Sequence, residues 1–120
     1  MGEIIQKIAL RDVKCHAAHG WYPEEQLIGC LFTVHLEVSF VSKLSDEQLN
    51  NTINYEELNS IILESMVTPK KLLETVVEEI LGQVRMKFPF ISTAEVTIVK
   101  NNPPMPGQVG ASVVSLKYSK

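Results

Sequence analysis

The sequence predicts an α+β fold, a four-stranded antiparallel sheet with two helices on one face. The first observation is that the hydrophobic period changes along the chain from two residues to 3.6 and back to two, as it does between strands and helices. The second is that strand and helix runs are segregated in the order β, β, α, α, β, β, which is typical of antiparallel sheets. The third is length, because 120 residues suit one ordinary domain, which we expect to span residues 1–120.

Four segments carry the strand pattern. Residues 4–15 alternate imperfectly, whereas residues 30–41 alternate strictly between Phe32 and Phe40 and form the clearest strand. Residues 94–100 and 111–118 give the last two strands. The segment between them is rich in proline, which removes backbone donors and excludes both a helix and a central strand.

Two amphipathic helices are predicted between the second and third strands. The first begins near Asn54, which forms a capping-box-like pair with Glu57. The second is expected to start with Thr68 as its N-cap and Pro69 as its first helical residue, and to end before Pro89. Its apolar stripe consists of Leu73, Val76, Val77, Ile80, Leu81, Val84 and Phe88.

One face of this sheet has no helices to cover it. In so small a chain, such a face is either hydrated or buried against copies of the same chain. We therefore expect a homo-oligomer.

Composition argues against several classes of function. The net charge of −3, from 14 acids and 11 bases, is unlike that of a nucleic-acid binder. No apolar run approaches the ~20 residues that a membrane helix needs, and the first residues do not have the pattern of a signal peptide. Two cysteines are too few for a disulfide framework, so we expect a cytoplasmic protein.

The histidines do not form a recognisable metal motif. They are His16, His19 and His35, and the sequence contains neither a Cys-x-x-Cys nor a His-Glu-x-x-His pattern. We interpret the first two as polar residues at the end of the first strand and in a loop over residues 19–25, which contains Pro23.

Four other residues are candidates for chemistry, although each has an ordinary explanation. Lys100 ends an apolar strand directly before the proline-rich segment. Glu74 lies early in the second helix, where the helix dipole favours a carboxylate. Tyr55 also suits a core position and Glu25 suits a solvated loop. Taken singly, none of the four identifies a site.

Taken together, these residues resemble the dihydroneopterin aldolase family, and the resemblance covers nearly the whole chain. It is carried by His19-Gly20 followed by Glu25 and Gly29, by Asn51-Thr52-Ile53-Asn54-Tyr55, by Leu72-Leu73-Glu74, and by Thr97-Ile98-Val99-Lys100-Asn101-Asn102-Pro103-Pro104. It implies the family's tunnelling fold, in which four subunits close their sheets into a barrel and two such rings commonly stack. A homotetramer or homo-octamer would account for the uncovered sheet face.

The resemblance also implies a reaction, the retro-aldol cleavage of 7,8-dihydroneopterin in folate biosynthesis. The products are 6-hydroxymethyl-7,8-dihydropterin and glycolaldehyde. The carbon–nitrogen double bond of the pterin ring can accept the released electrons as an enamine. The resemblance therefore implies neither a metal nor a cofactor.

Three residues match the catalytic positions of the family. Lys100 corresponds to a general base that acts through a bound water. Tyr55 corresponds to the residue that passes the proton to the enamine carbon. Glu25 corresponds to a loop glutamate that completes the site.

Three further residues match substrate-binding positions. Glu74 corresponds to a carboxylate that accepts two N–H bonds from the pterin ring. Leu73 corresponds to a position whose backbone helps to bind the ring. Ile53, like Tyr55, would come from a neighbouring subunit, so that activity would require assembly.

The sequence leaves three alternatives open. An epimerase of dihydroneopterin or its triphosphate would share the retro-aldol step, and Lys70 and Lys71 are candidates to bind a triphosphate. A zinc enzyme of the same fold would need several well-placed histidines. A non-catalytic ring-forming scaffold would not need the intact set of site residues.

Overall fold

A computed structural model of the chain describes residues 2–42 and 52–120, so that Asn51, part of one segment that carries the resemblance, lies outside the described residues. Within the described residues, the chain forms β1 (Ile5–Ala17), α1 (Pro23–Ile28), β2 (Cys30–Val41), α2 (Tyr55–Val67), α3 (Leu73–Lys87), β3 (Thr93–Asn101) and β4 (Ala111–Ser119). The predicted order of strands and helices is confirmed, with one short helix added.

The four strands form one antiparallel sheet in the order β1-β2-β3-β4. Alternate residues of β2 from Phe32 to Phe40 are buried, as the alternation predicts. The helices α2 and α3 pack on this face, α2 against β1 and α3 against β3 and β4. The prediction of two helices on one face is therefore confirmed. The two outer strands, β1 and β4, each keep one edge that no strand of the described residues pairs.

The imperfect alternation of β1 comes from a β-bulge. Leu10 pairs with Leu36, and Val13 pairs with Val34, so β1 has one residue more than β2 between the two pairs. Asp12 lies inside the bulge with a φ of 59°, and its N–H donates to Nδ1 of His35 at 3.2 Å. The bulge allows apolar residues on both sides of it to reach the core.

The prediction of a loop over residues 19–25 is wrong for its second half. Pro23 is the first residue of α1 and Gly29 is its C-cap, with a φ of 75°. The fixed φ of proline suits the first position of a helix, where its missing N–H has no partner to lose. Pro23 therefore begins a helix rather than interrupting the chain.

The predicted start of the second long helix is also wrong. Thr68 is the C-cap of α2 in an extended conformation, and α3 begins only at Leu73. Pro69 disfavours helical backbone at the residue before it. The backbone of Lys70 is also used in tertiary hydrogen bonds to His19 and Gly20. The start of α2 is as predicted, since Asn54 is its N-cap.

Candidate active site

Lys100 is a buried charged residue at the end of β3. The strand register pairs it with Phe32, and it continues the row of core-facing residues formed by Ala94, Val96 and Ile98. Only 8% of its surface is exposed. A buried ammonium group needs a partner, because loss of water is costly for an ion.

That partner is Glu25, whose Oε2 atom forms an ion pair with Nζ of Lys100. Both side chains are almost completely buried. Glu25 lies in the first turn of α1, and its Oε1 atom accepts a hydrogen bond from the Tyr22 N–H at 3.3 Å. The structure thus brings together two of the predicted catalytic residues, and α1 is the element that delivers the carboxylate.

Gly20 leaves the space that Glu25 occupies. A Cβ atom at this position would lie 2.5 Å from Cβ and 2.7 Å from Cδ of Glu25. The Gly20 carbonyl accepts a hydrogen bond from Nε2 of Gln26 at 3.0 Å, which ties the loop to α1. The His19-Gly20 part of the family pattern therefore has a steric reason in this chain.

Cys30 and Asn101 border the ion pair and were not predicted as site residues. Burial raises the pKa of the Cys30 thiol; the positive charge of Lys100 works in the opposite direction, and the negative charge of Glu25 adds to the rise. Nδ2 of Asn101 donates to the Leu31 carbonyl at 3.3 Å and to Oγ1 of Thr33 at 3.2 Å. These bonds fix the end of β3, which carries Lys100, against β2. The sequence signal for Asn101 is its place directly after the lysine.

Leu73 and Glu74 lie in the first turn of α3. Leu73 packs against the core and Glu74 is exposed. The segment that leads into this turn is hydrogen-bonded through Lys70 to His19 and Gly20, next to Glu25. The predicted ring-binding residues are therefore tied to the ion pair by a short chain of contacts.

Tyr55 and Ile53 lie at the opposite end of the sheet. They line a groove together with Gln6 and Ile8 of β1, and Gln6 pairs with Phe40. Lys100 pairs with Phe32, eight residues away along β2, which is about 26 Å at the rise of a strand. The structure does not bring these two predicted residues to the ion pair of the same subunit. Ile53 is buried, whereas Tyr55 is 62% exposed.

Two further features concern the described part of the chain as a whole. In residues 2–42 and 52–120, no three His, Cys, Asp or Glu side chains come together in a group that could hold a metal ion. Among the helices of these same residues, none is long and apolar enough to cross a membrane.

Comparisons with known proteins match this fold and sequence to one family of lyases. The family model for dihydroneopterin aldolase (FolB) matches residues 8–117. A dihydroneopterin aldolase from Bacillus subtilis is 29% identical over 119 residues, covering 97% of this chain and 99% of that protein. One from Streptococcus pyogenes serotype M18 is 32% identical over 120 residues, covering 97% and 100%.

Solved structures show the same fold at low sequence identity. A FolB structure from Vibrio cholerae superposes with a TM-score of 0.85 at 18% identity, covering 96% of this chain and 98% of that one. The dihydroneopterin aldolase of E. coli in complex with neopterin gives a TM-score of 0.78 at 12% identity, covering 95% and 99%.

The extent of the sequence matches defines a carbon–carbon lyase of folate biosynthesis. The chain belongs to the dihydroneopterin aldolase family. The resemblance and the enzyme class predicted from the sequence are confirmed, and the epimerase alternative is not favoured.

Proposed function

We propose that residues 1–120 act as one aldolase domain that cleaves 7,8-dihydroneopterin at sites formed between subunits. The single observation that carries the site assignment is the buried ion pair of Glu25 and Lys100, which Gly20 and Lys70 connect to the segment before the first turn of α3 that holds Glu74. A cytoplasmic location is part of the proposal and is supported by the free thiols of Cys15 and Cys30.

Lys100 is the general base of the proposed reaction. The ammonium proton of the ion pair first passes to the Glu25 carboxylate, and the neutral amine then accepts the proton of the side-chain hydroxyl through a water molecule. The carbon–carbon bond then breaks, its electron pair enters the ring as an enamine, and glycolaldehyde leaves. Glu25 orients Nζ of Lys100 and offers a carboxylate to which the proton can pass. Tyr55 protonates the enamine carbon, which completes the product, and then regains a proton through water from the Lys100–Glu25 pair, which now carries the proton of the substrate hydroxyl.

Glu74 anchors the pterin ring in this proposal. An exposed carboxylate in the first turn of α3 is favoured by the helix dipole and is free to accept two parallel N–H bonds. The E. coli relative is described in complex with neopterin, and a Burkholderia relative is described bound to guanine. Both molecules carry a ring amide N–H beside an amino group, the pair of donors that a carboxylate accepts. The backbone of Leu73 adds a contact to the ring.

A homotetramer or homo-octamer completes the site. Tyr55 borders the groove beside Gln6, whose strand partner Phe40 lies eight residues along β2 from the partner of Lys100, about 26 Å at the rise of a strand. We therefore assign Tyr55 and Ile53 to a neighbouring subunit. The free edges of β1 and β4 can pair between subunits and continue the sheet around a barrel. The face that would line the barrel is polar, and it carries Glu37 near Lys7 at 3.6 Å and near Arg11 at 3.8 Å.

The first test is the substitution Lys100→Ala, assayed with 7,8-dihydroneopterin and chromatography of the pterins. Loss of a general base is expected to lower kcat by about 10²- to 10⁴-fold. The control Lys87→Ala removes a lysine at the far end of α3 and should keep full activity. Lys100→Ala leaves the Glu25 carboxylate buried without its partner, which could itself unfold the protein. The double variant Glu25→Gln, Lys100→Met removes both charges and therefore checks whether activity is lost in a protein that still folds. Undiminished turnover in the folded variants contradicts the assignment.

The second test is Glu74→Ala, with neopterin binding measured by calorimetry. Loss of two charge-assisted hydrogen bonds is expected to weaken the affinity by more than about tenfold. Glu78→Ala removes an exposed acid about one turn further along α3 and serves as the control. A wild-type affinity in the Glu74 variant would exclude this residue as the anchor.

A further inference from the structure

We propose that His19 is a positioning residue of this site, which holds the backbone of Lys70 and thereby sets where α3 begins. The inference rests on the proposed function of the first turn of α3 as the pterin-binding site. It concerns how Leu73 and Glu74 are kept in place relative to the ion pair.

The observation behind it is a pair of hydrogen bonds that we call the Lys70 clamp, formed by His19, Gly20 and Lys70. Nδ1 of His19 accepts the Lys70 N–H at 3.0 Å, and the Gly20 N–H donates to the Lys70 carbonyl at 2.9 Å. Two successive residues thus hold both backbone groups of one residue. The side chain of His19 is completely buried, with its ring edge against Phe32 at a centroid distance of 5.5 Å.

The clamp joins the two halves of the proposed site. On one side, Gly20 is in close contact with Glu25, which pairs with Lys100. On the other side, Lys70 lies three residues before Leu73, in the segment between α2 and α3. The hydrogen bonds of the clamp therefore fix the first turn of α3 against the base and its carboxylate. Displacement of this turn would weaken ring binding before it affected the chemistry.

The clamp requires His19 to be neutral. Because Nδ1 accepts a hydrogen bond, the ring proton is on Nε2, which is buried and has no hydrogen-bond partner among the described residues. Burial lowers the pKa of His19, the Lys70 ammonium lowers it further, and the Glu79 carboxylate of α3 opposes them. From β2, the ring of Phe32 faces the histidine.

Protonation of His19 would open the clamp. Protonation would add a hydrogen to Nδ1, so that the ring would have a second N–H group, and this group would point at the N–H of Lys70. Because the pKa of His19 lies below its ordinary value of 6.5, the site is intact at neutral pH and loses the clamp only in acid. Pterin affinity is therefore expected to fall as the pH decreases below that value.

Two substitutions distinguish the role of His19 as a hydrogen-bond acceptor from the packing of its ring. His19→Asn places an amide oxygen near the position of Nδ1 and gives up most of the ring. His19→Phe keeps the ring against Phe32 and removes the acceptor. We expect His19→Phe to weaken neopterin affinity and raise KM about tenfold with kcat within about threefold, and His19→Asn to stay close to wild type. A histidine that only fills space predicts the opposite order, which would overturn the proposal.

Two further measurements do not depend on the activity assay, and the second of them does not use the Phe variant. Hydrogen exchange at the Lys70 amide should be slow in wild type and His19→Asn and fast in His19→Phe; equal rates overturn the proposal. As the pH is lowered below 6.5, the neopterin affinity should fall more in wild type than in His19→Asn, which has no ring to protonate. Parallel pH dependence in these two proteins also overturns it. A wild-type protein that binds neopterin without cleaving dihydroneopterin contradicts only the proposed function.

Discussion

Lys100 is a charged residue on the core-facing side of β3, where the preceding core-facing residues are all apolar. Removing an ammonium group from water is expensive, and a chain keeps such a group only with a partner of opposite charge. Glu25 supplies that partner from 75 residues earlier in the chain. No local spacing rule connects residues so far apart. The family resemblance could therefore name both residues, but only the fold shows that they are in contact.

Gly20 gives a prediction at the residue scale, because a methyl group there would occupy the space of Glu25. We expect Gly20→Ala to push the carboxylate away from Lys100 and to lower kcat more than about tenfold, since Cβ of Glu25, only 2.5 Å from the new atom, is not a flexible chain end. Steady-state assays and thermal unfolding provide the measurement.

The matched control is Gly82→Ala, at an exposed position in α3 where an added Cβ meets nothing within 4 Å. Alanine in a helix interior should raise the free energy of unfolding by about 0.5–1 kcal/mol and leave activity unchanged. Equal activity of the two variants would show that the position of Glu25 does not depend on the space at Gly20.

At the scale of the elements, the strands were predictable because alternation is a strong local signal in β2 and β3. The two errors have different physical causes. The segment before α3 is held by two tertiary hydrogen bonds, in which the Lys70 N–H donates to His19 and the Gly20 N–H donates to the Lys70 carbonyl, and helix-capping rules cannot anticipate them. The helix α1 was missed because its six residues are too few to show a period. That short helix nevertheless carries Glu25, so the missed element holds one of the proposed site residues.

The end of α1 gives a prediction at this scale. Gly29 has a φ of 75°, and a Cβ atom there would lie 2.7 Å from Cε1 of His16 and 2.9 Å from the Ala17 carbonyl oxygen. We expect Gly29→Ala to reduce the free energy of unfolding by about 2–3 kcal/mol in urea denaturation, since strain and a backbone collision act together.

Gly107→Ala separates these two causes. Gly107 has a φ of 86°, but an added Cβ meets nothing within 4 Å. In this variant, the free energy of unfolding should fall only by the cost of the left-handed conformation, about 1–2 kcal/mol. If the two variants lose the same free energy, the contact with Ala17 and His16 is not what requires a glycine at the end of α1.

At the scale of the whole molecule, the proposed site residues fall into two groups that lie far apart in one subunit. Lys100 and Glu25 lie near one end of the sheet, and Tyr55 and Ile53 near the other. The sequence indicated an uncovered sheet face, and the family resemblance indicated that the second half comes from a neighbour. The distance between the halves could not be predicted, because it depends on the register of β1, β2 and β3.

The most direct test of this account is to mix two inactive variants, Lys100→Ala and Tyr55→Phe, under conditions in which subunits exchange. A site between subunits predicts recovery of about a quarter of wild-type activity at a 1:1 ratio, because some interfaces combine an intact Lys100 with an intact Tyr55. The control mixture of Lys100→Ala with Glu25→Ala should recover nothing, since both residues belong to the same half of the site. If the first mixture is as inactive as its components, Tyr55 and Lys100 do not meet across an interface, and the proposed site is wrong.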